Sequence, residues 1–154
     1  MRALDAKGIE YTATVYDTAA EFHSAEEVAA ILGVPLDAMY KTLVVLREGA
    51  RSRPIIVMVP SDAQLDLKAL AQGLGEKKLR MATQREAEQF TGMQVGGISA
   101  LGLKRPAAFD IFIDERARML DTIHVSAGER GIEIALKTGD LVALTGAKYV
   151  TAAL

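Results

Sequence analysis

Residues 42–60 read TLVVLREGARSRPIIVMVP, in which two apolar runs stand on either side of a polar loop. The runs at 42–46 and 55–60 are dominated by aliphatic residues, many of them β-branched, as is typical of buried strands. The loop at 47–53 contains Gly49 and a concentration of arginine. Together these features predict a hairpin of two buried strands.

Short helix and strand signals alternate on both sides of this hairpin. Ser24 with Glu27, and Thr83 with Glu86, have the spacing of capping boxes at helix starts. The patterns predict strands at 11–16, 108–113, 122–126, 131–136 and 148–152, helices at 24–33, 66–74, 83–90 and 138–144, and a short turn at 35–40. Because these elements lack regular βαβ spacing, we predict an α+β fold with a mixed, largely antiparallel sheet or barrel-like core and flanking helices.

The composition bounds the possible functions. The chain has 154 residues, half of them hydrophobic and a quarter charged, so we expect a single globular domain over residues 1–154. It contains no cysteine and two histidines, which excludes disulfides, a thiolate nucleophile and the usual zinc sites, and we expect no metal and no cofactor.

Charge and hydropathy bear on location and partners. The longest apolar run, 55–59, is far too short to cross a membrane, and the N-terminal residues lack the apolar core of a targeting segment, so we expect a soluble, cytoplasmic protein. The formal net charge of −2 argues against a protein that binds nucleic acid tightly on its own.

The segment most informative about chemistry is the glycine-dense loop at 91–102, TGMQVGGISALG. Adjacent glycines let a ligand approach the main chain closely, and successive N–H groups can bind an anion or a developing oxyanion. The loop has neither the GxxxxGK[ST] pattern of a P-loop nor the GxGxxG dinucleotide fingerprint. An ordinary surface turn would explain the same composition, so both interpretations stay open on composition alone.

Lys41 stands where a polar turn enters the apolar strand at 42–46. An amine in that position can reach a cleft at the end of the strand and bind a phosphate or an oxyanion as a point charge. A lysine at the end or edge of a strand also discourages aggregation, which is a purely structural explanation.

The other ionisable candidates have weaker support. His23 precedes the Ser24 cap and His124 lies within a predicted strand, and neither has a recognisable spacing to triad partners. Basic residues cluster despite the negative total, which is typical either of a solvated face or of a rim that contacts phosphates. These residues are Arg47, Arg51, Arg53, Lys77, Lys78, Arg80, Lys104, Arg105 and Arg130.

Four segments, in order along the chain, resemble the YbaK/EbsC family: YKTLVV at 40–45, QLDLK at 64–68, TGMQVGGIS at 91–99 and VSAGERG at 125–131. Members of that family are small trans-editing proteins, similar to the editing domain inserted in bacterial prolyl-tRNA synthetases. The resemblance extends from Tyr16 to Lys148. It implies hydrolysis of a mischarged aminoacyl-tRNA, with Cys-tRNA(Pro) as the expected substrate, and a largely antiparallel, barrel-like core with flanking helices.

The resemblance also implies roles for individual residues. The family's catalytic positions correspond here to Lys41, Gly96 and Gly97. Its substrate-binding positions correspond to Tyr16, Ser99, Gly102 and Glu133. The family mechanism is substrate-assisted, in that the 2′-hydroxyl of the terminal ribose, or the thiol of a misattached cysteine, participates in the attack. We therefore expect backbone N–H groups near Gly96 and Gly97 to hold the ester oxygen as charge develops.

Two positions depart from the family pattern. Ala100 replaces the proline that usually follows the GGIS segment, and Glu133 stands where YbaK-type proteins can carry an aspartate. The first change makes the loop less rigid, and the second moves the carboxylate one methylene further out, which bears on amino-acid preference. A non-catalytic tRNA- or nucleotide-binding or regulatory module that retains the pocket is therefore the alternative function.

The expected partners follow from the charge. Because the net charge of −2 argues against tight independent binding of tRNA, we expect the 3′ end of a mischarged tRNA(Pro) to be presented in a ternary complex with prolyl-tRNA synthetase.

Overall fold

The computed structural model describes residues 2–16, 24–49 and 52–154. Two residues singled out above, His23 and Arg51, lie outside the described residues. The described residues form five α-helices and eight strands: α1 Arg2–Ala6, β1 Tyr11–Val15, α2 Ala25–Leu32, β2 Tyr40–Arg47, β3 Ile55–Pro60, α3 Leu67–Leu74, β4 Leu79–Met81, α4 Gln84–Thr91, β5 Asp110–Asp114, β6 Thr122–Ser126, β7 Ile132–Lys137, α5 Thr138–Thr145 and β8 Lys148–Val150.

The strands form two sheets. The larger has the order β4-β2-β3-β5-β8, with the predicted β2–β3 hairpin antiparallel and the β3–β5 and β5–β8 pairs parallel. The smaller has the order β1-β7-β6 and is antiparallel throughout. A bridge between Met39 and His124 connects the two at the start of β2. The fold is therefore mixed α+β as predicted, although among the described residues the ladders do not close into a barrel.

The core is organised around β3, whose six residues are all buried. Its side chains alternate between two apolar clusters: Ile56 and Met58 face the larger one, and Ile55, Val57 and Val59 face the one that includes Leu70 of α3. Both faces of the central strand are covered, which explains why its sequence is continuously apolar rather than alternating.

The helix boundaries follow the capping signals in the sequence. The Ser24 hydroxyl accepts a hydrogen bond from the Glu27 N–H (3.2 Å), and α2 ends at Gly33 with a left-handed φ of 68°. Thr83 and Glu86 form a complete capping box at the start of α4. Such caps satisfy N–H groups that the helix itself leaves free, at about 1 kcal/mol each.

Three predicted strands are shorter than the sequence suggested, β1 by its last residue, and β4 was not predicted. The strand predicted at 108–113 starts only at Asp110, because the preceding residues form the 3₁₀ turn Pro106–Ala108. The last strand stops at Val150, and the main-chain N–H groups of Ala152 and Ala153 donate instead to the Asp114 carboxylate (2.9 and 3.0 Å). With three residues, β4 is too short to show a period in sequence.

The helices in the described part of the chain have eight residues or fewer, and none of them has the length and apolar character needed to cross a membrane.

Candidate active site

A cavity of about 410 Å³ is lined by residues of both sheets, α2, α4 and the glycine-dense loop. It brings together four of the seven residues that the family resemblance singled out: Tyr16, Lys41, Gly96 and Glu133. These residues come from four separate parts of the chain. The other three, Gly97, Ser99 and Gly102, are not part of the cavity wall.

Lys41 lines the cavity on a part of β2 that pairs with β3 but lies beyond its pairing with β4. Among the described residues, β4 pairs with β2 from Val45 to Arg47, so the edge of β2 opposite β3 is not paired by β4 near Lys41. The Lys41 side chain is half-buried, and no carboxylate of the described residues forms an ion pair with it. Its ammonium group can therefore serve as a positive point charge for a phosphate or an oxyanion.

Glu133 supplies a buried carboxyl group to the same cavity. It lies in β7 between Thr14 of β1 and Ser126 of β6, and it is 5% exposed. Burial raises the pKa of this carboxyl group to about 7. Within the described ranges no cation pairs with it. Near neutral pH it can therefore either accept a hydrogen bond from a cationic or hydroxyl group of a ligand or donate one.

Tyr16 follows β1 and lies beside Glu133. Its N–H donates to the Gly131 carbonyl (2.8 Å), which continues the pairing of β1 with β7. Burial raises the pKa of the phenol, a backbone hydrogen bond with Gly131 lowers it in part, and the Glu133 charge raises it further. The phenol is therefore held in its neutral form, as a hydrogen-bonding group in the wall.

Gly96 and Gly97 have different surroundings. Gly96 lines the cavity with a left-handed φ of 97°, which favours glycine. The Gly97 N–H already donates to the Gln94 carbonyl (2.9 Å). A Cβ on Gly97 would lie 2.6–2.8 Å from main-chain atoms of Glu129 and Arg130. Gly97 thus permits close packing of the loop against the β6–β7 turn, and the role of either glycine N–H as an oxyanion donor stays a prediction.

Ser99 and Gly102 support the loop from behind the cavity wall. Ser99 is 1% exposed, and its hydroxyl accepts a hydrogen bond from the Leu101 N–H (3.1 Å), which caps the 3₁₀ turn Ala100–Gly102. A Cβ on Gly102 would lie 2.7 Å from the Met93 sulfur. These contacts shape the loop, and direct binding of substrate by either residue stays a prediction.

His124 is not among the residues that line the cavity, and His23 lies outside the described residues. His124 forms the bridge to Met39, and burial lowers its pKa. The described residues also include no cluster of three or more His, Cys, Asp or Glu side chains that could hold a metal ion.

Several of the basic residues form ion pairs within the protein, so their charges have partners other than a phosphate. Arg47, the last residue of β2, forms ion pairs of 2.8 Å with Glu76, between α3 and β4, and with Asp110, the first residue of β5. Arg80 donates two hydrogen bonds of 2.8 Å to Glu86, which lowers the pKa of that carboxyl group to about 2.

Sequence reasoning did not assign a role to Ser126, Thr42 or Gln84, which also line the cavity. Ser126 lies directly opposite Glu133 in the β6–β7 ladder. That register depends on the pairing of two strands and on the turn between them, so the sequence alone offers no signal that would place the two side chains together.

Comparisons with known proteins identify the family to which the chain belongs. A family model described as an aminoacyl-tRNA editing domain matches residues 19–144. EbsC of Enterococcus faecalis, described as a candidate Cys-tRNA(Pro)/Cys-tRNA(Cys) deacylase, is 33% identical over 149 residues, or 97% of this chain and 88% of that protein. The proline–tRNA ligase of Nitratidesulfovibrio vulgaris is 38% identical over 81 residues, which are 53% of this chain and 14% of the ligase.

Solved structures share the fold over nearly the whole chain. The crystal structure of a hypothetical protein superimposes with a TM-score of 0.86 at 23% identity, covering 99% of this chain and 97% of the other. A candidate trans-editing enzyme for prolyl-tRNA synthetase superimposes with a TM-score of 0.81 at 24% identity, covering 99% of this chain and 93% of the other.

Proposed function

The chain belongs to the aminoacyl-tRNA editing domain family, and we propose that it hydrolyses the ester bond of a mischarged aminoacyl-tRNA, with Cys-tRNA(Pro) as its substrate. The observation that carries this proposal is the convergence of Lys41, Gly96 and Glu133 on one cavity. A cation and a main-chain N–H can stabilise the developing oxyanion of an aminoacyl ester, and a buried carboxyl group can hydrogen-bond to its ribose or its ammonium group.

The reaction does not require a nucleophile from the protein. An aminoacyl ester is already activated, and the ribose 2′-hydroxyl or the cysteine thiol of the substrate can take part in the attack. Water is consumed overall, and the products are the free amino acid and the uncharged tRNA. This scheme suits a cavity without cysteine, since the chain contains none.

In this scheme, each residue of the cavity wall contacts a different part of the substrate. No described residue accepts a hydrogen bond from the Gly96 N–H, so this group is available to the ester oxygen as charge develops. The Lys41 ammonium orients the 3′-terminal adenosine through its phosphate, or the carbonyl through its charge. Tyr16 and Glu133 orient the ribose or the α-ammonium group of the amino acid. Ala100 is buried behind the wall, so it acts through the loop rather than on the substrate.

The partner of the reaction is proposed to be prolyl-tRNA synthetase, in a ternary complex with its tRNA in the cytoplasm. The net charge of −2 supports this arrangement, because tight independent binding of a tRNA backbone needs a surplus of cations. Size-exclusion chromatography of the protein with synthetase and tRNA tests it. Full activity on free substrate, with no association in that experiment, would show the ternary complex to be unnecessary.

The deacylation of Cys-, Ala- and Ser-charged tRNA(Pro) tests the function directly. We expect the protein to release cysteine fastest and Lys41→Ala to abolish most of that release. Binding of all three charged tRNAs without release of any amino acid would instead support the alternative function, a non-catalytic module that retains the pocket.

A further inference from the structure

Val95, the residue before Gly96, is held from both sides by charged side chains. Its N–H donates to the Glu88 carboxylate (2.8 Å), and its carbonyl accepts a hydrogen bond from the Arg130 guanidinium Nε–H (2.7 Å). Glu88 comes from α4 and Arg130 from the turn between β6 and β7, so two separate parts of the fold form hydrogen bonds to the main chain of one residue.

The two elements that carry Glu88 and Arg130 are themselves well restrained. The complete capping box fixes the start of α4, and Gly92 closes its end with a φ of 73°. On the other side, the close approach of Gly97 to the main chain of Glu129 and Arg130 leaves no room for a Cβ. Hydrogen bonds that involve an ionised partner are about twice as strong as neutral ones, so this arrangement restrains the main chain at Val95.

The side chain of Glu88 makes one hydrogen bond to the described residues. Across the described part of the chain, its carboxylate has no ion pair and no hydrogen bond other than the one to the Val95 N–H. Neither Glu88 nor Arg130 lines the cavity, whereas Val95 and Gly96 do. The two side chains can therefore affect the cavity through the position of the main chain and not by touching a ligand.

We propose that Glu88 and Arg130 are positioning residues which, by clamping Val95, set the place of Gly96 in the cavity wall. The inference rests on the proposed function, since it assigns to Gly96 the contact with the reacting ester. Displacement of a reacting group by about 1 Å can lower a rate 10²-fold, so a clamp outside the site can control catalysis.

The first test compares two variants at position 88. Glu88→Ala removes the acceptor and should lower kcat for release of cysteine from Cys-tRNA(Pro) by about 10²-fold, with KM little changed. Glu88→Gln keeps an acceptor oxygen at the same reach and should restore kcat to within a few-fold of the wild type. Arg85→Ala, an exposed neighbour on α4, serves as control and should leave kcat unchanged. Equal kcat values in Glu88→Ala and the wild type would overturn the clamp.

The second test does not depend on activity. Hydrogen–deuterium exchange of residues 94–98 should become faster in Glu88→Ala and in Arg130→Ala, while exchange in β3 stays unchanged. If the wild type deacylates none of the three charged tRNAs, the proposed function is wrong. The hydrogen–deuterium exchange measurement then tests by itself whether Glu88 and Arg130 restrain Val95. Unchanged exchange at 94–98 in both variants would then overturn it.

Discussion

The two sheets of this protein use their side chains differently. In the larger sheet, the central strand β3 is apolar and buried on both faces, and its residues 55–59 belong to the two clusters of the core. In the smaller sheet, one face of β7 adds Ile134 to the core, and the residue directly before it in the chain, Glu133, brings a carboxyl group to the cavity. The larger sheet thus accounts for most of the apolar burial, and the smaller one brings a buried ionisable group to the site at a cost in stability.

The strongest test of this division is the loss of Lys41, the site residue that the larger sheet contributes. Lys41→Ala should lower kcat/KM for Cys-tRNA(Pro) deacylation by about 10²–10³-fold, as expected when a group that stabilises an oxyanion is removed. The midpoint of urea unfolding should change little, because the half-buried lysine has no ion pair among the described residues. Lys78→Ala, at an exposed position, is the matched control. A Lys41→Ala protein with wild-type turnover would remove the central role of this residue.

Removal of a core side chain from β3 should have the opposite effect, a loss of stability without a loss of activity. Ile55 is fully buried in the cluster beneath α3 and does not line the cavity. Ile55→Ala should lower the free energy of unfolding by about 2–5 kcal/mol, and Ile55→Val by about 0.5–1.5 kcal/mol, in urea titrations. The deacylation rate per folded molecule should stay at the wild-type value in both variants. A loss of rate larger than the loss of folded protein would show that the core and the site are not separable.

The pKa of Glu133 predicts a pH dependence of stability. Because burial raises the pKa of this group to about 7, above its usual value of 4.5, the folded state favours the protonated form. The resulting stabilisation is complete below about pH 4.5 and is lost as the pH rises through 7, by an amount on the order of 3 kcal/mol. Urea titrations between pH 4.5 and 8 should show this fall in the wild type and not in Glu133→Gln. Glu26→Gln, at an exposed position, should retain the wild-type slope, and an identical slope in Glu133→Gln would contradict the assignment.

A smaller effect is expected at Gly97, where the loop packs on the β6–β7 turn. Gly97→Ala places a Cβ against main-chain atoms, which cannot give way as a flexible side chain would, and should destabilise the fold by about 1–3 kcal/mol. Gly139→Ala is the control, since nothing lies within 4 Å of its Cβ position in α5, and it should stabilise the helix by about 0.5–1 kcal/mol. Thermal unfolding of the two variants measures both effects, and equal stability of Gly97→Ala and the wild type would show that the loop can move away.

The elements predicted best are those whose signals lie within a few neighbouring residues. The hairpin, the cap at Ser24 and the capping box at Thr83 were all recognised, because strand periodicity and helix capping are local properties of the chain. The parallel pairing of β3 with β5 could not be predicted in the same way. It joins strands about fifty residues apart, and their pairing is decided by packing in the folded chain.

The same distinction between local signals and distant contacts applies to the site. The order of the motifs predicted the family, and it led to Lys41, Gly96, Tyr16 and Glu133, which share one cavity. Motif spacing could not separate Gly96 from Gly97, since their difference lies in what approaches each of them. The close contact of Gly97 with the β6–β7 turn, and the clamp on Val95 by Glu88 and Arg130, join segments that are distant in sequence.

The sequence by itself determined the local elements, the family and the residues able to carry charge, because each depends on residue type and short-range spacing. Only the tertiary structure decided which of those residues face the cavity, which support it from behind, and how far burial shifts the pKa of Glu133. Those properties depend on strand register, on close approach of the main chain and on exclusion of water, and all three arise only when distant segments pack together.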